Sequence, residues 1–184
     1  MDLTEHCLSS ETIASGGMLT VKRYQVRLSN GNISQREYIV HPGAVVVVPI
    51  LPNGHVVLEK QYRYPLHQVF IELPAGKIDP NEDILTTGQR ELFEETGYKA
   101  NNWHKLGHLH PCIGYSDEVI HMYLARELTL GQHEPDADEC LEVFDVSFEA
   151  CLSMIENGQI TDGKTMIALL LTQKFLQGSG LYRA

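Results

Sequence analysis

The chain predicts an α/β protein, a mixed sheet with helices on both sides, and three stretches carry that expectation. Val45-Val-Val-Val-Pro-Ile50 is short and continuously apolar, the pattern of a central strand covered on both faces. Ile84, Leu85, Gly88 and Leu92 recur at helical spacing ahead of Gly97. Thr165 to Leu176 reads as a last helix with Met166, Ile167, Leu169, Leu170 and Phe175 largely buried.

The elements follow in order. Met18 to Leu28 and Ile33 to His41 read as two strands joined at Ser29-Asn30-Gly31-Asn32, where Asn-Gly is a strong hairpin signal. Pro52-Asn53-Gly54 turns the chain into a strand from His55 to Tyr62. Another strand, Val69 to Leu73, ends in Pro74-Ala75-Gly76. Asp79 followed by Pro80, with Glu82 three positions after the Asp, is expected to cap the next helix, and Gly97 to end it as a left-handed residue. Strands are expected near Trp103 to Leu109, Val119 to Ala125 and Leu141 to Val146. Phe148, Cys151, Leu152 and Ile155 then form one helical face closed by Gly158.

No linker, repeat or low-complexity run divides the sequence, so a single domain over 1–184 is expected, with the hairpin 18–41 protruding. So long a hairpin is marginal without a surface to cover it, which favours a homodimer.

Composition narrows the classes of function. With 43% hydrophobic and 21% charged residues the chain has ordinary globular usage, enough for a large core. A net charge of −10 argues against a nucleic-acid partner, and leaves any acidic substrate to be held by local cations. Met1-Asp-Leu-Thr-Glu-His lacks the basic and apolar regions of a signal peptide, and no apolar run of about 18 residues suggests a membrane span. The expectation is a cytoplasmic protein. Cys7, Cys112, Cys140 and Cys151 are scattered, which suggests neither a disulfide framework nor a zinc knuckle. Serine nucleophile elbows and phosphate-cradling glycine loops are missing.

The chemistry concentrates between Gly76 and Tyr98. In a helix, Glu91, Glu94 and Glu95 stand at i, i+3 and i+4, so their carboxylates share a face. Like charges so placed oppose the helix unless positive charge compensates them. Arg90 supplies part of it; hard oxygen ligands of this kind suit Mg²⁺ or Mn²⁺ for the rest. Taken alone, Glu-x-x-Glu-Glu is more at home on a solvated amphipathic helix.

The whole pattern is more specific. Gly76, Glu82, Arg90, Glu91, Glu94, Glu95 and Gly97, with Leu92 at the first aliphatic place, match the spacing of the Nudix signature. The sequence resembles the Nudix hydrolases over this stretch, with Tyr98 in place of the final aliphatic residue. Gln61-Tyr62-Arg63-Tyr64, Glu72-Leu73-Pro74-Ala75-Gly76, Gly114-Tyr115-Ser116-Asp117-Glu118 and Gly158 to Thr165 look like the branch that cleaves ADP-ribose and related nucleotide sugars. The resemblance implies an α/β/α sandwich.

It also implies roles. The Ala75 carbonyl, Glu91 and Glu95 would hold metal, with Glu94 a further ligand or a partner of Arg90, and Glu82 a support for the helix start. A carboxylate from the loop Gln132 to Glu139 would join them, with Glu139 the best positional match. Relatives often carry a second loop glutamate proposed to activate water, but that position is Ala137 here, which leaves the general base open among Glu134, Asp136 and Asp138. Arg63 would contact a phosphate or the terminal ribose. Arg36, Glu37 and Glu118 are candidates for a nucleotide pocket shared across a homodimer.

Two functional classes follow. One is a Mg²⁺-dependent diphosphatase acting on ADP-ribose, with GDP-mannose the closest competitor and dinucleoside polyphosphates behind it. The other is a non-hydrolysing ligand sensor, against which the complete set Glu91, Glu94 and Glu95 argues.

Overall fold

The computed structural model describes residues 2–131 and 140–178. Their contacts divide the chain into two compact units, one of Met1–Pro42 with His110–Val119 and the other of Gly43–Leu109 with Ile120–Ala184.

The first unit is a three-stranded antiparallel sheet in the order β1-β2-β3, from β1 (His6–Ser15), β2 (Thr20–Arg27) and β3 (Ile33–Val40). β2 and β3 form the expected hairpin, pairing from Thr20 with Val40 to Arg27 with Ile33. Gly31 takes the turn at φ 86°, a left-handed conformation glycine adopts without strain. The sequence reading missed β1. All ten of its residues are exposed, so the strand has no buried face to leave an apolar alternation in HCLSSETIAS. The extension is therefore a three-strand sheet and not a hairpin alone. Residues 110–119 join this unit through backbone bonds from the Ile39 amide to the Tyr115 carbonyl (2.9 Å) and from the Asp117 amide to the Ile39 carbonyl (3.3 Å).

The second unit is built on a four-stranded mixed sheet in the order β7-β4-β9-β8, where β4 is Ala44–Pro49, β7 is Ala75–Lys77, β8 is Tyr98–Leu109 and β9 is Ile120–Leu130. β4 runs parallel to β9 and antiparallel to β7, while β8 and β9 are antiparallel. Every residue of β4 is buried, as its unbroken apolar run requires. Its alternate side chains enter two different cores. Val46 and Val48 join Met122, Leu124 and Leu169, with Leu169 on α3 (Gly163–Leu176). Val45 and Val47 join Leu92 and Ala125, with Leu92 on α1 (Ile84–Thr96). Since successive strand residues point to opposite faces, α1 and α3 cover opposite sides of the sheet. A second sheet, β10-β5-β6, comprises β5 (His55–Arg63), β6 (Gln68–Glu72) and β10 (Leu141–Ser147), all antiparallel. α2 (Phe148–Glu156) follows β10, and Gly158 stands just past its end at φ 77°.

Two local expectations change. Helix α1 begins at Ile84, with Asp83 as its cap, accepting the amides of Leu85 and Thr86. Asp79, Pro80 and Glu82 form a turn before it, with the Glu82 amide bonded to the Asp79 carbonyl at 3.0 Å. Asn81 in that turn has φ 68°, a left-handed value that interrupts any helix started at Pro80. In α3, Leu169 is fully buried but Ile167 and Leu170 remain 41% and 44% exposed, because apolar residues surround the helix while only one side meets the sheet.

Candidate active site

Gly97 ends α1 in the left-handed conformation at φ 75°, its amide returning to the Phe93 carbonyl. The C-terminal half of the helix holds Glu91, Glu94 and Glu95, the last two in its final turn, while the first turn has no acid and the last no base. This is the reverse of what a helix macrodipole favours, since its C-terminal end is the negative one. A helix selected for stability alone would not place three carboxylates there.

The opposing wall is β7 and the chain leading into it. Val47 donates its amide to the Pro74 carbonyl (2.9 Å), and β7 pairs with β4 as Ala75 opposite Val46 and Gly76 opposite Val45. Ala75 in turn donates its amide to Glu95 Oε2 at 2.9 Å, which sets the Ala75 peptide beside a 6%-exposed carboxylate. At the next residue a Cβ would lie 1.9–2.3 Å from the Glu91 carboxyl atoms, so only glycine leaves room for that carboxylate. Gly88 performs a similar service on the packed side, where a Cβ would come 3.0 Å from Val45 Cγ1.

Arg90 stands among the acids. Its Nε and Nη2 donate to the two carboxylate oxygens of Glu82 at 3.0 and 2.9 Å, and Nη1 donates to Glu91 Oε1 and Glu94 Oε2, both at 2.9 Å. Nη2 also reaches the Lys77 carbonyl at 3.2 Å. The Arg90 bonds, with help from the Thr87 hydroxyl, hold the Glu82 carboxyl at a pKa of about 2. Glu82 in return raises the pKa of Arg90, more than burial lowers it, so the guanidinium is permanently charged. Glu82, expected to support the helix start, stands in the turn before α1 and binds Arg90 and the Thr87 hydroxyl.

The donor set fits a divalent cation in its chemistry: carboxylates on one helical turn, the Ala75 peptide alongside, and a space at Gly76 that a side chain would fill. Among the described residues no three acidic, histidine or cysteine side chains already form a ligating group. Arg90 Nη1 bonds both Glu91 Oε1 and Glu94 Oε2. Glu139, with Glu134, Asp136 and Asp138, lies outside the described residues.

Arg63 is not free to reach outward as an isolated cation. Its Nε and Nη2 grip Glu72 Oε1 and Oε2 at 2.7 and 2.8 Å in a bidentate pair. The Glu72 side chain is only 3% exposed, and Lys164 also donates to its Oε2. Burial alone would raise the Glu72 carboxyl, but Arg63 and Lys164 together outweigh it and hold it below the usual range. In sequence, Glu72 and the segment ending at Thr165 stand only as parts of motifs that resemble the nucleotide-sugar branch. The available signal was Lys164 in the first turn of α3, where a cation opposes the macrodipole. Glu59 carries no such signal. It sits opposite Glu72 in the β5–β6 ladder and is 1% exposed, hidden in sequence by its place at the end of an apolar strand run.

The remaining candidates lie in the first unit. Arg36 pairs with Glu5 (Nη2–Oε1, 2.5 Å), Glu37 with Arg23 (2.7 Å), and Glu118 stands 3.7 Å from His41 Nδ1. Arg36, Glu37 and Tyr38 border a recess of about 290 Å³ whose other side is the segment Ile113 to Asp117, so the fold brings two separately chosen sequence features together.

The model of the NUDIX domain matches residues 40–169. The chain is 38% identical to an ADP-ribose pyrophosphatase of Bacillus subtilis (strain 168), covering 93% of this chain and 94% of that protein. It is 36% identical to a methanol dehydrogenase activator of Bacillus methanolicus, covering 92% of each. A crystal structure of an ADP compounds hydrolase superposes with a TM-score of 0.87 at 26% identity, over 99% of this chain and all of that one. With the signature helix, its glycine wall and its clamped arginine in place, the chain belongs to the Nudix family.

Proposed function

We propose that the protein hydrolyses the pyrophosphate bond of ADP-ribose, giving AMP and ribose 5-phosphate, with Mg²⁺ as its cation and Mn²⁺ able to substitute. The observation that carries this is the Glu91 carboxylate packed over Gly76 beside Glu94 and Glu95, the arrangement that gives the helix end its acidic face. The 38%-identical relative, named an ADP-ribose pyrophosphatase over nearly its whole length, favours the substrate.

Glu91, Glu95 and the Ala75 carbonyl would hold the ion, with Glu94 and Glu139 completing the set. Bound divalent cations neutralise the phosphate oxygens, acidify an attacking water and stabilise the leaving phosphate. Arg90 keeps the unloaded acids from repelling one another, and through Glu82 it fixes the loop that precedes the helix. Arg63 offers its outer edge to a phosphate or to the terminal ribose. The recess bordered by Arg36 and Glu37 takes the nucleotide, completed with Glu118 in a homodimer. The whole chain acts as one catalytic domain in the cytoplasm; among the described residues no helix is long and apolar enough to cross a membrane.

The test is a panel of ADP-ribose, GDP-mannose, dinucleoside polyphosphates and nucleoside triphosphates with Mg²⁺ or Mn²⁺, with ¹⁸O-water locating the attacked phosphorus. ADP-ribose should be turned over fastest. Cleavage of triphosphates with every nucleotide sugar untouched would overturn the assignment. A second reading, stimulation of a partner dehydrogenase, is favoured only by the 36%-identical activator, and adding such an enzyme to the panel tests it.

A further inference from the structure

We infer that Lys164 is a positioning residue that fixes Arg63 for substrate binding, acting through the buried carboxylate of Glu72. This rests on the proposed hydrolysis and adds to it a residue on a distant helix.

Lys164 is placed at a cost. It lies in the first turn of α3, directly after the Asp162 cap and the first helical residue, where the macrodipole repels a cation. Its side chain is 14% exposed, whereas a lysine on a helix surface ordinarily keeps its ammonium in water. What holds it there is Glu72 on β6, 3% exposed, to which its Nζ donates, together with Asp162 Oδ2 at 3.0 Å.

Each atom of Glu72 is thereby assigned. Oε1 accepts Arg63 Nε, and Oε2 accepts both Arg63 Nη2 and Lys164 Nζ. A carboxylate gripped by an arginine alone can swing with it as one unit; a second cation on Oε2 fixes the carboxylate plane, and with it the plane of the guanidinium. Asp162 anchors the far end, accepting the amide of Thr165 at 3.0 Å and its hydroxyl at 2.6 Å. The Thr165 hydroxyl oxygen accepts the Leu73 amide at 3.0 Å, which ties the start of α3 to the residue after Glu72.

Arg63 keeps one edge for a ligand. Its side chain is 42% exposed, and among the described residues no acceptor meets Nη1. Lys164 shares the Glu72 carboxylate with Arg63, while Asp162 Oδ2 takes a further bond from its Nζ at 3.0 Å. A positively charged edge held in one plane suits a phosphate oxygen or a pair of ribose hydroxyls.

Steady-state kinetics with ADP-ribose and Mg²⁺ test this with Lys164→Met, Lys164→Arg and Arg63→Met. Lys164→Met should raise KM about tenfold and change kcat less than about threefold, since coupling through one shared partner is of this size. Lys164→Arg, which keeps the charge at Glu72, should recover most of the affinity. In the double variant the two losses should not multiply, because Lys164 acts only through Arg63. An unchanged KM in Lys164→Met, or multiplying effects, would overturn the inference.

A second readout needs no turnover. The Arg63 Nε–H held on Glu72 should give a slowly exchanging ¹⁵N-edited proton resonance whose protection falls about tenfold in Lys164→Met and is retained in Lys164→Arg. Equal protection in all three proteins refutes the role of Lys164 even if ADP-ribose is not the substrate. Failure of the wild type on ADP-ribose, with that protection lowered in Lys164→Met, would instead count against the substrate alone. Should Lys164→Met not fold, Lys164→Gln retains a donor beside Glu72 without the charge and must show the same loss of protection.

Discussion

Gly76 and Glu91 approach so closely that a Cβ on residue 76 would stand 1.9 Å from Glu91 Oε1. The obstructed group is the end of a flexible side chain, so an alanine there would displace the carboxylate and leave the backbone in place. Gly76→Ala should therefore keep its fold, with Tm within about 3 °C of wild type, yet lose about 10- to 100-fold in metal affinity and turnover, the usual effect of misdirecting a ligand. Cation titration beside a melting curve checks it. A variant that unfolds, or one that works normally, contradicts the role given to Glu91.

Glu95 separates fold from chemistry in another way. Its Oε2 accepts the Ala75 amide at 2.9 Å, and a glutamine at 95 can still accept that bond through its carbonyl oxygen. Glu95→Gln should melt close to wild type while losing at least about 100-fold in kcat, because a neutral amide cannot stand in for a charged ligand. Near-normal turnover on the best substrate of the panel would remove Glu95 from the metal site.

How much of this was written in the sequence depends on whether a residue acts locally. The Val45–Ile50 strand, the left-handed Gly97 and the acid face of α1 were legible because each depends on periodicity or on one residue's conformational freedom. β1 was not, since a fully exposed strand leaves no pattern. Nor was the Arg63–Glu72–Lys164 network, which joins residues 92 positions apart in sequence across a strand and a helix. Ionic contacts of that range come from topology, and no local spacing announces them. The space at Gly76 lies between these cases: the signature marks the glycine, but only the fold shows that Glu91 needs it.

The start of α1 offers a direct check on one such correction. Asp83 Oδ1 accepts the Leu85 amide at 2.9 Å and the Thr86 amide at 3.3 Å, whereas the Asp79 side chain is 68% exposed and only 3.9 Å from Arg90 Nη2. Asp83→Ala should thus cost about 1 kcal/mol of stability, and Asp79→Ala less than about half of that. Chemical denaturation of the two variants decides between the caps. Equal losses would return the helix start to Asp79.

Arg90 ties part of the acid stability of the protein to one cation. Held by Arg90 and Thr87, Glu82 has its pKa lowered from 4.5 to about 2, so the folded state binds that proton less readily than the unfolded chain does. Stability from this clamp is fully present above pH 4.5 and is lost as the pH falls through about 2. Glu72, also lowered, adds to the decline, but it belongs to the Arg63 network and is untouched by a change at residue 90. Arg90→Met should accordingly melt about 5 °C below wild type at pH 7, where Glu82, Glu91 and Glu94 repel without their counter-charge. Between pH 4.5 and 2 its melting temperature should fall less steeply than that of wild type, and the two curves should meet near the acid end. Added Mg²⁺ at pH 7 should raise the variant's Tm more than the wild type's, since the cation then replaces the missing guanidinium. Parallel melting curves across the acid range would show that the arginine stabilises the site by packing and not by charge.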